Sequence, residues 1–502
     1  MRDQWNDKLG FILAAIGSAV GLGNIWRFPY IAAQNGGGSF FVPYLFAIIT
    51  AGIPILILEY TIGKTYRGGA PAAFARINNR FEWLGWAQVM VAFMITVYYF
   101  AIIVWTVSYI GFSFTQAWGK DTTGFFLNKY LHVSASATQL GGIHLNLLIP
   151  FLIIWALTAL IMYGGINKGI ETTCKIALPI LMVLTLILVI RGITLPGASK
   201  GLEYMFRPHW DQLTKSSVWV AAYGQIFFSL SIAFAIMISY SSYLPKKTDV
   251  VNSAFITATA NHGFEVFAGI GVFSIIGYMA TQQGVPVASV AGQGVGLAFM
   301  TFPVAISTLP ALNTLFGICF FGALFLAGLT SLVSIIQAVV TGFRDKFSLS
   351  QKKAVTIILV PAFILSFLFI TGAGLYILDI IDKYINSIGV VSCGLLEVLL
   401  IGWFFKPEKL RKEANEFSNF SVGKWWTVCI KFVTIVVLGI MIVLNTKELI
   451  QKGYDAYSST DLMLFGWGSI IIVIVCTVIF TAMKGKEGYN DLSKVAAKEA
   501  EQ

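Results

Sequence analysis

Four clusters of polar side chains interrupt long apolar stretches of this chain, and their types suit a hard cation or a polar ligand held away from water. The first reads Gly17-Ser18-Ala19-Val20-Gly21-Leu22-Gly23-Asn24, followed by Arg27-Phe28-Pro29. Glycine permits close approach and unusual backbone angles, so three glycines among small residues predict a helix break. A break at mid-membrane frees carbonyls and amides that must then meet a polar partner. The alternative is that the glycines only let helices pack closely. In the second cluster, Gln225, Ser229 and Ser231 stand in an otherwise apolar run that ends Ala233-Phe234-Ala235. In the third, Asn261 and Glu265 lie four apart on one helical face. A carboxylate there is costly unless hydrated, paired or protonated, which makes it a functional candidate; the alternative is a water-exposed Glu265 near the edge of its span. The fourth, Ala327-Gly328-Leu329-Thr330-Ser331, offers two hydroxyls that can join carbonyls around a hard cation such as sodium or bond back to their own helix.

The elements that must position these groups are membrane-spanning helices. Of 502 residues, 57% are hydrophobic and 12% charged, against roughly 25% charged in a soluble domain. The runs Leu147 to Met162, Ile176 to Ile190, Val355 to Ile370 and Phe465 to Phe480 approach, with their flanks, the roughly 20 residues that cross a bilayer as helix. Helices are required because unpaired backbone groups in lipid are costly. Twelve spans are expected at 9–32, 40–62, 86–112, 144–163, 173–191, 218–240, 252–280, 310–341, 352–375, 384–405, 427–446 and 463–483. They form a single domain, 1–483, with a polar tail, 484–502, expected to be a cytoplasmic helix or a disordered end. The start of the tenth span is the hardest to place, because Leu375 to Ile388 carries Asp379, Asp382 and Lys383.

With the N-terminus inside, inner segments hold 24 of the 34 lysines and arginines and outer segments the remaining 10. That asymmetry predicts cytoplasmic termini at both ends. The net charge of +10 then belongs to loops facing lipid headgroups rather than to nucleic-acid binding. Met1 to Lys8 is too short and polar for a signal peptide. Cys174, Cys319, Cys393, Cys429 and Cys476 fall in or beside spans as small hydrophobes. His132, His144, His209 and His262 stand apart in sequence, so a hydrolytic or metal centre is not expected and the chain is read as no enzyme. A phosphate-binding loop is missing too: Gly36-Gly37-Gly38 is followed by Ser39 without a lysine. The two odd spans are the first and the sixth. If spans 1–5 and 6–10 are inverted repeats, these two occupy corresponding positions, the arrangement that points to a translocation site.

Residue by residue, the chain resembles the neurotransmitter:sodium symporter family, and most of all its bacterial amino-acid transporters of the leucine-transporter type. The resemblance rests on Gly21-Leu22-Gly23-Asn24-Ile25-Trp26-Arg27-Phe28-Pro29, Asn35-Gly36-Gly37-Gly38-Ser39-Phe40, Pro43-Tyr44 and Gly52-Ile53-Pro54 with Glu59. Tyr98-Tyr99, Gln225-Ile226-Phe227-Phe228, Tyr240-Ser241-Ser242-Tyr243, Thr259 to Glu265 and Ala327 to Ser331 continue it through span eight.

This resemblance implies sodium-coupled, chloride-independent uptake of a neutral, hydrophobic amino acid by alternating access through the cell membrane. The alternatives are an aromatic substrate, tyrosine or tryptophan, and a sensor that binds without transport. It implies two sodium ions. One would be held by the Ala19 carbonyl with Asn24, Ser229 and Asn261, the other by carbonyls of Gly17, Val20 and Ala327 with the hydroxyls of Thr330 and Ser331. Substrate contacts are expected from Ala19, Gly21, Gly23, Tyr99, Phe228, Ser229, Ser231 and Ser331, with Ile95, Phe234 and Ile335 lining the side-chain pocket. Glu265, among Tyr44, Gln225, Ser229 and Asn261, would stand in for chloride. Arg27 with Asp382 is the expected outer latch, and Arg2 with Asp345, supported by Trp5 and Tyr243, the inner one. Ala233-Phe234-Ala235 and Ser229 depart from the family pattern, which leaves open how far span six unwinds and which amino acid fits. Oligomeric state is not legible.

Overall fold

The computed structural model describes residues 4–292 and 294–493. Among them every regular element is helical. The helices that matter are α1 (Lys8–Ala19), α2 (Leu22–Gln34), α3 (Gly38–Tyr66), α4 (Asn79–Ser113), α5 (Leu145–Tyr163) and α6 (Gly165–Ile193). They continue with α7 (Ser216–Ser229) and α8 (Ile236–Ser241), then α9 (Val250–Gln283), α10 (Gly294–Thr308), α11 (Asn313–Phe347), α12 (Gln351–Ile370), α13 (Gly374–Phe404), α14 (Lys424–Gln451) and α15 (Ser459–Ala482). Among the described residues, ten of these are continuous, long and apolar enough to cross a membrane, and α1 with α2 forms one further span bent by 54°. The protein is therefore a multi-pass membrane protein.

Eleven of the predicted spans fall on the membrane-length helices, with corrected ends, while the sixth, 218–240, is divided between the shorter α7 and α8. The tenth begins at Gly374 rather than near 384, because its charges are satisfied inside the protein. Tyr454 and Tyr457 donate to Asp379 at 3.0 and 2.9 Å, and Tyr98 donates to Asp382 at 2.7 Å. The third begins at Asn79 rather than 86, since Lys346 reaches Glu82 at 2.7 Å. Helix α10, in the loop before α11, was not anticipated. It is held by aromatic packing of Phe299 on Tyr109, Trp105 and Trp26.

Helix ends follow local chemistry. Asp7 caps α1 by accepting from the Gly10 amide at 2.5 Å, Asp249 caps α9 by accepting from Asn252 at 2.9 Å, and Gly284 closes α9 in the left-handed region. Helix α4 runs through the centre with 83% of its most apolar window buried, whereas α14 and α15 bury only 28% of theirs and turn the rest outward to lipid. The first ten residues of the tail, 484–493, fold back on the connection between α3 and α4: Tyr489 packs with Ala72 and Ala75, and its carbonyl accepts from Arg76 at 3.0 Å.

Candidate functional site

The backbone of the first span opens at Val20 and Gly21, and α2 starts anew at Leu22. The break between α7 and α8 is longer. Residues 230–235 leave the helix, with Ser231, Ala233 and Ala235 at φ of 53°, 70° and 68°. Alanine thus adopts here the left-handed angles that glycine takes without cost. The Ala-Phe-Ala stretch is unwound, and the surrounding contacts hold it so: the Ala233 amide donates to Glu59 of α3 at 2.6 Å.

A chain of hydrogen bonds joins the breaks. The Gly21 amide donates to Asn24 Oδ1 at 3.0 Å, Asn24 Nδ2 donates to Asn261 Oδ1 at 2.8 Å, and Asn261 Nδ2 donates to Ser229 Oγ at the end of α7. Ser18, at the end of α1, offers a carbonyl that accepts from both Ser231 at 2.9 Å and Ser331 at 3.1 Å. Ser331 also lies 3.5 Å from the Gly17 carbonyl. The hydroxyl of Thr330 bonds back to Leu326 and Ala327 at 3.0 and 3.2 Å, as the alternative reading of that cluster holds. A methyl placed on Gly17 would nevertheless sit 3.3 Å from Thr330 Cβ, so the two helices touch there. Ala19, Val20 and Ala327 are buried at the same junction.

Gly21 faces the site directly. A Cβ there would lie 3.0 Å from Ser331 Oγ and 3.7 Å from Tyr99 Oη. A Cβ on Gly23 would strike the Phe228 ring at 2.2 Å, so that glycine makes room for an aromatic wall. Ile95, Phe234 and Ile335 are buried, at 5–7% exposure, as an apolar lining requires.

Glu265 is fully buried and accepts from Gln225 at 2.7 Å and from Tyr44. Sequence reading did not anticipate His262 here: its Nδ1 lies 2.6 Å from Tyr44 Oη and 3.1 Å from Glu265 Oε2. It stands three residues before Glu265, a helical spacing that could have suggested the contact. Ser18 was also missed, because a carbonyl leaves no trace in residue type. The histidines are not all apart: His132 and His144 stack with centroids 4.2 Å apart in the loop before α5.

The side of the breaks that carries the N-terminal segment is closed around Trp5. Its indole donates to the Tyr240 carbonyl at 2.9 Å, and its ring packs edge-on against Tyr240 and Phe11. Tyr243 Oη pairs with Thr341 at 3.0 Å. Asp345 accepts from the Gly69 amide at 2.7 Å, and its expected partner Arg2 lies outside the described residues. On the opposite side of the breaks, the Arg27 guanidinium rests 4.5 Å above the Phe228 ring, while Asp382 is engaged by Tyr98 and by Asn386 at 2.8 Å. Arg27 and Asp382 sense each other's charge without being within ion-pair distance.

Discontinuous helices with a polar, buried junction between them define a membrane transporter rather than an enzyme. The comparisons place it further. The sequence pattern of the sodium:neurotransmitter symporter family matches residues 2–123 and 117–487, and the chain belongs to that family. It is 41% identical to an uncharacterized sodium-dependent transporter of Methanocaldococcus jannaschii, over 97% of this chain and 99% of that protein. It is 30% identical to the human sodium- and chloride-dependent GABA transporter 2 (86% of this chain, 78% of the relative), and 31% identical to the sodium-dependent dopamine transporter of Caenorhabditis elegans (85% and 78%).

Proposed function

We propose that this protein carries a neutral, hydrophobic amino acid into the cell together with sodium, without a requirement for chloride. The observation that carries the reading is the hydrogen-bond chain Gly21, Asn24, Asn261, Ser229, which ties the two helix breaks to one set of neutral oxygens. Each of those side-chain oxygens has a second lone pair free for a hard cation. A first sodium ion takes the Ala19 carbonyl, Asn24, Ser229 and Asn261, and the substrate carboxylate completes its shell. A second takes carbonyls of Gly17, Val20 and Ala327 with Thr330 and Ser331. For that, the Thr330 hydroxyl must swing from its own helix toward α1.

The substrate's amine and carboxylate meet the helix ends at Ala19, Gly21 and Gly23, with Tyr99, Ser229, Ser231 and Ser331 as polar partners. Oriented backbone groups hold both charges without a buried counter-ion. Gly21 leaves room for the substrate's own carboxylate where a side-chain acid would compete with it. Phe228, Phe234, Ile95 and Ile335 receive an apolar side chain. Glu265 supplies the fixed negative charge near the first sodium site, which removes the need for a chloride ion such as the one in the human relative's description.

The conformation supports an alternating-access reading. On this reading Trp5 and Tyr243 seal the inner side with Asp345 as one half of its latch, and the outer latch forms when Arg27 leaves Phe228 for Asp382. Twelve spans, counting α1 with α2 and α7 with α8 as one each, would leave both termini on one side, and the excess of lysine and arginine in the inner segments favours the cytoplasm for that side; we read spans 1–5 and 6–10 as inverted repeats. Uptake of labelled leucine, tyrosine and tryptophan into proteoliposomes under an inward sodium gradient tests this directly. Accumulation with sodium and not with potassium, with or without chloride, is the expected result. Binding without accumulation would favour a sensor instead.

A further inference from the structure

Behind the α7–α8 break lies a second buried polar cluster that the transport site does not use. Glu59 of α3, Gln88 of α4 and Glu397 of α13 are all at 0% exposure. Glu59 spends one oxygen on the Ala233 amide, at 2.6 Å, and Glu397 spends one on Gln88 Nε2, at 2.7 Å. The other oxygen of each, Glu59 Oε2, Glu397 Oε1 and Gln88 Oε1, is buried with no hydrogen-bond partner among the described residues. All three are acceptors if both carboxyls are ionised, and the one spare donor beside them, the second N–H of Gln88 Nε2, cannot satisfy all three. The two carboxyls feel each other's charge. The other titratable groups that sense them are Tyr60 and Cys393, neither of which brings a positive charge. Two uncompensated negative charges in a membrane interior are strongly disfavoured.

We propose that Glu59, Gln88 and Glu397 form a proton-binding site in which one proton, residing on Glu397 Oε1, neutralises the pair. The chemistry of the orphaned atoms fits this assignment. A protonated Glu397 and Gln88 make a cyclic acid–amide pair: Gln88 Nε2 donates to Glu397 Oε2 as observed, and the Glu397 hydroxyl donates to Gln88 Oε1. One proton thereby satisfies two of the three orphans and leaves a single negative charge on Glu59. That charge faces the Ala233 amide, which is where an anion stabilises the unwound backbone. Because Glu59 and Glu397 sense each other's charge, the same proton also bears, through the Glu59 anchor, on the broken segment. Gly394, one turn before Glu397, packs against it as well, since a Cβ there would meet Ala233 Cβ at 3.1 Å. This inference does not depend on which solute the protein carries.

Infrared spectroscopy of the purified, lipid-reconstituted protein tests it without any substrate. The wild type is expected to show the carbonyl stretch of a protonated carboxyl that shifts in heavy water and is missing from Glu397→Gln, while Glu59→Gln retains it. Glu397→Gln preserves the pair as amide with amide, and is expected to keep its thermal unfolding temperature. Gln88→Leu removes the acceptor and is expected to keep the band's intensity while moving it to higher frequency. A spectrum unchanged by both Glu397→Gln and Gln88→Leu overturns the proposal, because the two carboxylates are then ionised and bridged by water. Should Glu397→Gln fail to fold, the Gln88→Leu shift alone decides the matter.

Discussion

Gly21 and the two alanines of the second break show how much a single Cβ decides in this site. At Gly21 a methyl would press on Ser331 Oγ at 3.0 Å and approach Tyr99 Oη at 3.7 Å. The space taken is that which the proposed substrate carboxylate needs. Gly21→Ala is therefore expected to raise the KM for the transported amino acid by about tenfold, roughly 1.4 kcal/mol, with the unfolding temperature unchanged. An unaltered KM would mean that the ligand lies elsewhere. Ala235 has the opposite problem, holding φ of 68° against its own Cβ. Ala235→Gly should relieve about 1 kcal/mol of left-handed strain, read as a higher unfolding temperature in detergent. A lower temperature would indicate that the Ala235 methyl packs more than it strains.

Helix ends and their anchors set the behaviour of whole elements. Trp5 pins the chain before α1 to α8 through a hydrogen bond and a ring contact, both to Tyr240, and packs on Phe11 of α1. Its truncation to alanine removes packing of the kind worth about 3–5 kcal/mol in a protein core. That exceeds the gap between typical alternate states, so the inner side should open. A cysteine introduced at Ser334, which faces Tyr240, should react with a maleimide faster in the Trp5→Ala background than in wild type; equal rates would show that another contact holds the seal. Asp249, at the N-terminal end of α9, illustrates an electrostatic anchor. Burial alone would raise its pKa, but amide donors from Asn419 and Asn252 and the Ser418 hydroxyl outweigh it and hold the carboxyl below its ordinary 3.8. A depressed folded-state pKa stabilises the fold fully above the unfolded value and ceases to do so as pH falls through the folded one. Asp249→Asn should thus cost about 1–2 kcal/mol near neutral pH, and the difference from wild type should shrink below about pH 3.8. A pH-independent difference in unfolding would assign the effect to shape rather than charge.

At the scale of the molecule, the proposed topology places Lys129 outside and Lys247 inside, and both are exposed. Four of the five native cysteines are buried, which keeps background labelling low. A cysteine at Lys129 should react with an impermeant maleimide in intact cells, and one at Lys247 only after lysis; the reverse pattern would invert the orientation. The distribution of burial agrees with a core of helices around the breaks and a lipid-facing shell. Helix α4 is buried over most of its length, while Val443, Ile450, Ile474 and Val478 of α14 and α15 stand more than 45% exposed as apolar residues.

The sequence by itself determined that this is a helical membrane protein with four polar clusters set in apolar runs, because hydrophobic run length and charge segregation are local properties that lipid enforces. It also pointed to the first break, since glycines announce backbone freedom, and to Asn24, Ser229, Asn261 and Ser331, which the fold brings into two connected networks. Tertiary structure alone decided what no local pattern encodes. Ala233 and Ala235 unwind because Glu59 and the packed helices hold them there, against their own preference. Charged Asp379, Asp382 and Glu82 continue their helices because partners from α4, the chain before α15, and α11 reach them. Ser18 enters the site through a carbonyl, and His262 through a neighbour 218 residues away. In each case the deciding interaction is a long-range hydrogen bond or ion pair, whose strength in a dry interior overrides the propensity of the residue that makes it.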